Sequence, residues 1–173
     1  GSAAAIKANE VALALGSDTG GSNRQPASYC GVVGIKPTYG LVSRYGLVSL
    51  ANSLDQVGVF GRNVLDAALM LGVIAGKDAK DSTSMDVDAI NYLEKLSEDI
   101  KDMKIAIPKE CFELDMEDGV KDKFMEAIKT FEALGGKIDE ISLPYSKYNW
   151  ATYYLIANAE ISSSLARFDG IRY

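Results

Sequence analysis

Histidine is absent from all 173 residues. That excludes an internal Ser-His-Asp triad, in which an imidazole carries the proton between nucleophile and leaving group. A serine nucleophile here needs another base, such as a lysine or a second serine. Cysteine is scarce: Cys30 and Cys111 lie far apart, form no CxxC pair and have no histidine to join them. A zinc or other metal site is therefore not expected, and each thiol reads as a small buried hydrophobe. No apolar run approaches the ~18 residues of a membrane helix, and no charged-then-apolar leader opens the chain. A cytoplasmic location is the expectation. Positive charge is in deficit, with 18 Lys and Arg against 24 Asp and Glu and a net charge of −6. Such a chain repels a phosphate backbone, so direct nucleic-acid contact is not expected to be its main task. A partner protein remains free to bind nucleic acid.

Hydrophobic residues, by contrast, make up 47% of the chain, enough for a sizeable core. Ala3 to Lys7 reads as a helix with no start signal. Glu10 to Leu15 reads as a short buried strand ending at Gly16. Pro26 fits the beginning of a helix whose first turn is Ala27 to Cys30. Gly31 to Gly46 is irregular, with turns at Thr38-Tyr39-Gly40 and Arg44-Tyr45-Gly46. Asn63 is placed to cap a helix over 64–75, stopped by Gly76, with Leu65, Ala68, Leu69 and Leu71 as its apolar face. Residues 77–102 form a polar surface excursion with a short helix near Leu93. Met103 to Ile107, an amphipathic helix over 118–134 and a strand over 137–143 make a βαβ unit. Val120, Phe124, Ile128 and Phe131 recur along its helix. A long helix over 146–168 presents Tyr153, Ile156, Ala157, Ile161 and Leu165. The alternation predicts an α/β fold.

The densest chemistry lies in Gly16-Ser17-Asp18-Thr19-Gly20-Gly21-Ser22. Acyl transfer needs an exposed nucleophile on a tight turn and backbone N–H groups aimed at the developing oxyanion. Gly20 and Gly21 permit such a backbone, and a helix starting just after would add its N-terminal dipole. An ordinary turn and a phosphate-binding loop fit the same composition, although no GK[ST] follows to make a P-loop. Asp18 and Arg24 read as loop braces. Cys30, beside the loop, has no visible base and reads as structural.

The run continuing through Asn23-Arg24-Gln25-Pro26-Ala27-Ser28 closely resembles the motif of the amidase signature family. Gly31-Val32-Val33-Gly34-Ile35-Lys36-Pro37-Thr38-Tyr39-Gly40 is similar to one branch of it, the A subunits of tRNA-dependent amidotransferases. So are Val42 to Leu47, Ser53-Leu54-Asp55-Gln56 and Ala166-Arg167-Phe168-Asp169-Gly170. The resemblance implies a mixed sheet covered by helices and a Ser–cis-Ser–Lys triad, which agrees with the missing histidine. It implies Ser22 as catalytic nucleophile, Thr19, Gly20 and Gly21 as the oxyanion hole, and Tyr153 or Tyr154 beside a glutamine substrate. Core packing is the competing role for those tyrosines. No cofactor is implied for this chain. ATP and Mg would be used by a partner, and the partners would be the B and C subunits, with tRNA reached through them.

Two positions depart from the family pattern: Asn23 stands where a β-branched apolar residue is usual, and Val59 where proline is usual. The family's GGSSGGSAAA stretch is met only at its end, by Gly1-Ser2-Ala3-Ala4-Ala5. On this alignment the relay serine and the lysine base fall upstream of residue 1, and Lys7 and Lys36 are not substitutes. Residues 1–173 then read as part of a single amidase domain, cut at both ends and inactive alone. A stand-alone amidase and a non-catalytic scaffold module are the rival readings.

Overall fold

The computed structural model describes residues 1–88, 90–96, 99–113 and 115–172. Ala89, Ser97 and Glu98, within the expected surface excursion, lie outside the described residues. The chain divides into two compact units: residues 1–97 with 153–173, and residues 98–152.

The first unit is built on a three-stranded antiparallel sheet in the order β1-β3-β2, with β1 Leu13–Asp18, β2 Val33–Ile35 and β3 Gln56–Gly61. The pairing of β1 with β3 runs from Leu13 opposite Gly61 to Asp18 opposite Gln56. β1 therefore begins three residues later than the apolar run suggests and continues through Gly16, Ser17 and Asp18. It is only half-buried, and among the described residues it pairs along one edge alone. The central strand β3 was not expected from the sequence. Its two faces hold separate cores, as side chains alternate across a strand. Phe60 packs with Ala3 and Ile6 of α1 (Ser2–Lys7) and Ala27 of α2 (Arg24–Cys30). Val59 packs with Val42 and with Ala67 and Leu71 of α3 (Val64–Ile74).

Several local expectations hold. The Asn63 side chain accepts from the Asp66 amide at 2.8 Å and caps α3. Turns close from Leu41 N–H to the Thr38 carbonyl and from Leu47 N–H to the Arg44 carbonyl. The short helix α4 spans Tyr92–Lys95. Others need correction. Pro26 sits third in α2, still within the first turn, where its missing N–H has no helical acceptor. The buried face of α3 is Ala67, Ala68 and Leu71, whereas Leu65 and Leu69 are exposed. Cys30 and Cys111 are half-buried free thiols, not fully buried ones.

The second unit contains the βαβ arrangement: β4 Lys104–Pro108, α5 Asp118–Ala133 and β5 Lys137–Ile141, with β4 and β5 parallel and Ile105 opposite Ile138. Phe124 of α5 meets Phe112 edge-on at 5.7 Å between ring centroids. Val120, Phe124 and Phe131 remain largely exposed. The last helix, α6, spans Asn149–Leu165 after a short 3-10 turn at Ser146–Tyr148. Its residues from Tyr153 onward belong to the first unit. Among the described residues, no helix is long and apolar enough to cross a membrane.

Candidate active site

The turn from Asp18 to Arg24 is folded around one carboxylate. Asp18 ends β1 with no exposed surface. One of its oxygens accepts from the Gly21 amide at 2.8 Å and the Arg24 guanidinium at 3.0 Å. The other accepts from the Asn23 amide at 3.2 Å, the Arg24 amide at 3.4 Å and Arg24 Nε at 3.0 Å. Burial pushes the Asp18 carboxyl up. The Arg24 side-chain hydrogen bonds, the Asn23 amide and the Arg24 charge outweigh that and hold it below the usual carboxylate range. Both residues thus have the bracing role read from the sequence.

This arrangement changes two expectations. The first amides of α2 are taken by Asp18, and α2 has seven residues, so its N-terminus offers no dipole site for a substrate. The Gly21 N–H is likewise committed to Asp18, which leaves it unavailable as an oxyanion donor in this geometry. Gly21 instead supplies shape: its φ of +135° lies in a region closed to other residues.

Ser22 follows Gly21 and is exposed. Among the described residues, no side chain accepts from its hydroxyl. Lys36 Nζ donates to the Pro37 carbonyl at 2.9 Å. A small cavity of about 150 Å³ adjoins Ser22 and is lined also by Ser2, Ser17 and Asn23. The Ser2 hydroxyl donates to the Leu15 carbonyl at 2.8 Å.

Thr19 is anchored from outside the loop. Its hydroxyl donates to Asp55 at 2.6 Å, while the other Asp55 oxygen accepts from the Ser49 hydroxyl and the Leu50 and Ala51 amides. Gln56, fully buried next to it, accepts from the Gly40 amide and donates to the Val42 carbonyl. From sequence, Asp55 and Gln56 stand only as members of a family-like run. Asp55 meets Thr19 across 36 residues and Gln56 meets Gly40 across 16, links that no local pattern reveals.

Tyr153 reaches the loop. A Cβ on Gly20 would lie 2.6 Å from its Cζ and 2.7 Å from its hydroxyl, so a side chain there would push the tyrosine off the loop. Tyr154 meets Tyr153 edge-on at 5.4 Å and is itself exposed. Asn23 is wholly buried next to Ser22. Its Nδ2 donates to the Ile35 carbonyl at 3.5 Å and its Oδ1 has no hydrogen-bond partner. It fits only because two neighbours are glycine. A Cβ on Gly16 would lie 2.5 Å from Asn23 Oδ1, and one on Gly58 would lie 2.3 Å from Nδ2. Val59 pairs with both Leu15 and Ile35 in the centre of the sheet, where a residue with an amide hydrogen fits well. Asp169 accepts from the amides of Ile171 and Arg172 and so braces its own turn. No metal-ligand cluster occurs among the described residues.

The family model described as Amidase matches residues 1–172. The A subunit of glutamyl-tRNA(Gln) amidotransferase from Carboxydothermus hydrogenoformans is 60% identical over 173 residues, all of this chain and 36% of that relative. A crystal structure of the corresponding A subunit of glutamyl-tRNA(Gln) amidotransferase from Thermotoga maritima superposes with a TM-score of 0.90 at 53% identity, covering 94% of this chain and 36% of that one. Native peptide amidase from Stenotrophomonas maltophilia gives 0.86 at 29% identity, covering 98% of this chain and 35% of that one. The chain thus spans about 36% of the length of the curated relatives it matches.

Proposed function

The chain belongs to the amidase family, and from that we propose that Ser22 is the nucleophile of a glutamine amidohydrolase, the ammonia-generating component of a tRNA-dependent amidotransferase. The Ser22 hydroxyl adds to the side-chain carboxamide carbon of glutamine. The C–N bond then breaks, ammonia leaves with the added proton, and a glutamyl ester stays on Ser22. Water cleaves that ester to glutamate. The base and the relay serine come from the segment upstream of residue 1, where the family resemblance puts its lysine and cis-serine. The amides of Thr19 and Gly20 are the proposed oxyanion donors, with Gly21 shaping the turn. Tyr153, rather than Tyr154, is the proposed neighbour of the glutamine. No cofactor binds this chain in the proposal. ATP and Mg act in a partner, the B and C subunits complete the assembly, tRNA is held through them, and the location is cytoplasmic.

The observation that best supports this reading is the loop itself. A buried, charged Asp18 ties up the amides on one side of the turn and leaves Ser22 on the open side, against the cavity. The test is Ser22→Ala in the full-length protein assembled with its partners. Ammonia release from glutamine falls by about three orders of magnitude or more, and the acyl-enzyme burst disappears. Wild-type hydrolysis in that variant sinks the proposal. The likeness to peptide amidase supports a second reading, a stand-alone amidase acting on another amide. Absence of co-purifying subunits together with turnover of non-glutamine amides favours it.

A further inference from the structure

We infer that Glu160 is a positioning residue for the Ser22 loop, holding from α6 the turn that anchors Thr19. The inference rests on the reading of Ser22 as nucleophile. Glu160 follows Tyr153 by seven residues, two helical turns or roughly 10 Å along one face of α6. Each of these residues grips a different part of the site. Tyr153 lies against Gly20. The Glu160 carboxylate accepts from both the amide of Ser53, at 2.9 Å, and its hydroxyl, at 2.5 Å. Ser53 sits in the turn that closes on Asp55, with the Leu54 and Asp55 amides donating to the Ala51 carbonyl. Asp55 in turn takes the Thr19 hydroxyl at 2.6 Å. Helix α6 thus reaches residues 19 and 20 by two routes, one through an aromatic ring and one through Glu160, Ser53 and Asp55.

Two bonds from one residue to one carboxylate fix orientation as well as distance. Both are exposed to solvent, and exposed polar contacts contribute little to global stability. Loss of Glu160 therefore acts on the geometry of the loop and leaves the fold in place. A misplacement of an ångström or less at a catalytic loop is costly in rate.

The experiment uses the full-length protein with its partner subunits and measures glutamine hydrolysis per active site, titrated with a serine-directed sulfonyl fluoride. Glu160→Ala lowers kcat per titrated site by about tenfold, with the melting temperature little changed. Glu160→Gln, which keeps one carbonyl acceptor for Ser53, falls between the two. Thr19→Val cuts the far end of the same route, so the double variant Glu160→Ala/Thr19→Val is no slower than the worse single one. Fully multiplicative losses overturn the inference, as does an unchanged kcat per site in Glu160→Ala. A merely structural role would lower the titrated fraction and leave the rate per site alone. If Ser22→Ala keeps full activity, the nucleophile reading falls and this inference with it. If Ser22→Ala is inactive while Glu160→Ala is normal, only the inference falls.

Discussion

Asp18 combines complete burial with a charge, and its hydrogen bonds from Gly21, Asn23 and Arg24 compensate for that burial. Asp18→Asn presents an NH2 where donors already converge and costs about 2 kcal/mol, read from urea denaturation at pH 7. The figure comes from hydrogen bonds and not from the ion pair, since the Arg24 side chain is 54% exposed and well screened. The folded carboxyl lies below its ordinary 3.8. Its stabilisation is therefore complete above that value and is lost as pH falls through the lower, folded one. The gap between wild type and Asp18→Asn accordingly narrows below about pH 4. A gap that stays constant across that range contradicts the bracing role. Asp18 and Arg24 were legible in the sequence because brace and turn are six residues apart or fewer. The links from Asp55 to Thr19 and from Glu160 to Ser53, 36 and 107 residues apart, were not.

At the level of elements, the sequence discloses helices with marked ends and hides strands that carry glycine. α3 begins at the Asn63 cap that the residues mark, and the structure adds a return hydrogen bond from Asn63 Nδ2 to the Asp66 carboxylate. Asn63→Ala costs about 1 kcal/mol and Asn63→Ser much less, a difference visible in thermal melts. The face α3 buries is only half readable: Ala68 and Leu71 lie on it as read, but apolar residues surround the helix, and Leu65 and Leu69 stay exposed. β3 hides because Gln56, Gly58 and Gly61 interrupt its alternation. Gly58 is there because a Cβ would lie 2.1 Å from the Ile35 carbonyl of β2. β1 overran its expected end because Ser17 and Asp18 look like loop residues, yet their partners Val57 and Gln56 keep them in the ladder.

Over the whole molecule, burial is uneven. The unit of residues 1–97 with 153–173 holds two buried clusters on either face of β3. The described residues of the unit 98–152 include none that is fully buried. Local opening is easiest where few apolar groups are packed. Native-state hydrogen exchange of this 173-residue chain therefore finds slow amides in β3 and α3 and fast ones in β4, α5 and β5. Equal protection in both units counts against that account. Fold class was legible from the strand–helix alternation. The number and order of strands in the first sheet were not, since pairing is a non-local choice.

The slot around Asn23 bears on how such a chain drifts over generations. Positions 16, 23 and 58 share one volume, and the middle one fills it. A larger residue at 16 is tolerated only after the residue at 23 has shrunk and Phe60 has moved aside, while at 58 the Ile35 carbonyl bars one whatever stands at 23, so the order of substitution matters as much as its content. The residue that follows Ser22 is thereby held in place by two glycines on separate strands, and change at position 16 is paced by the residue at 23.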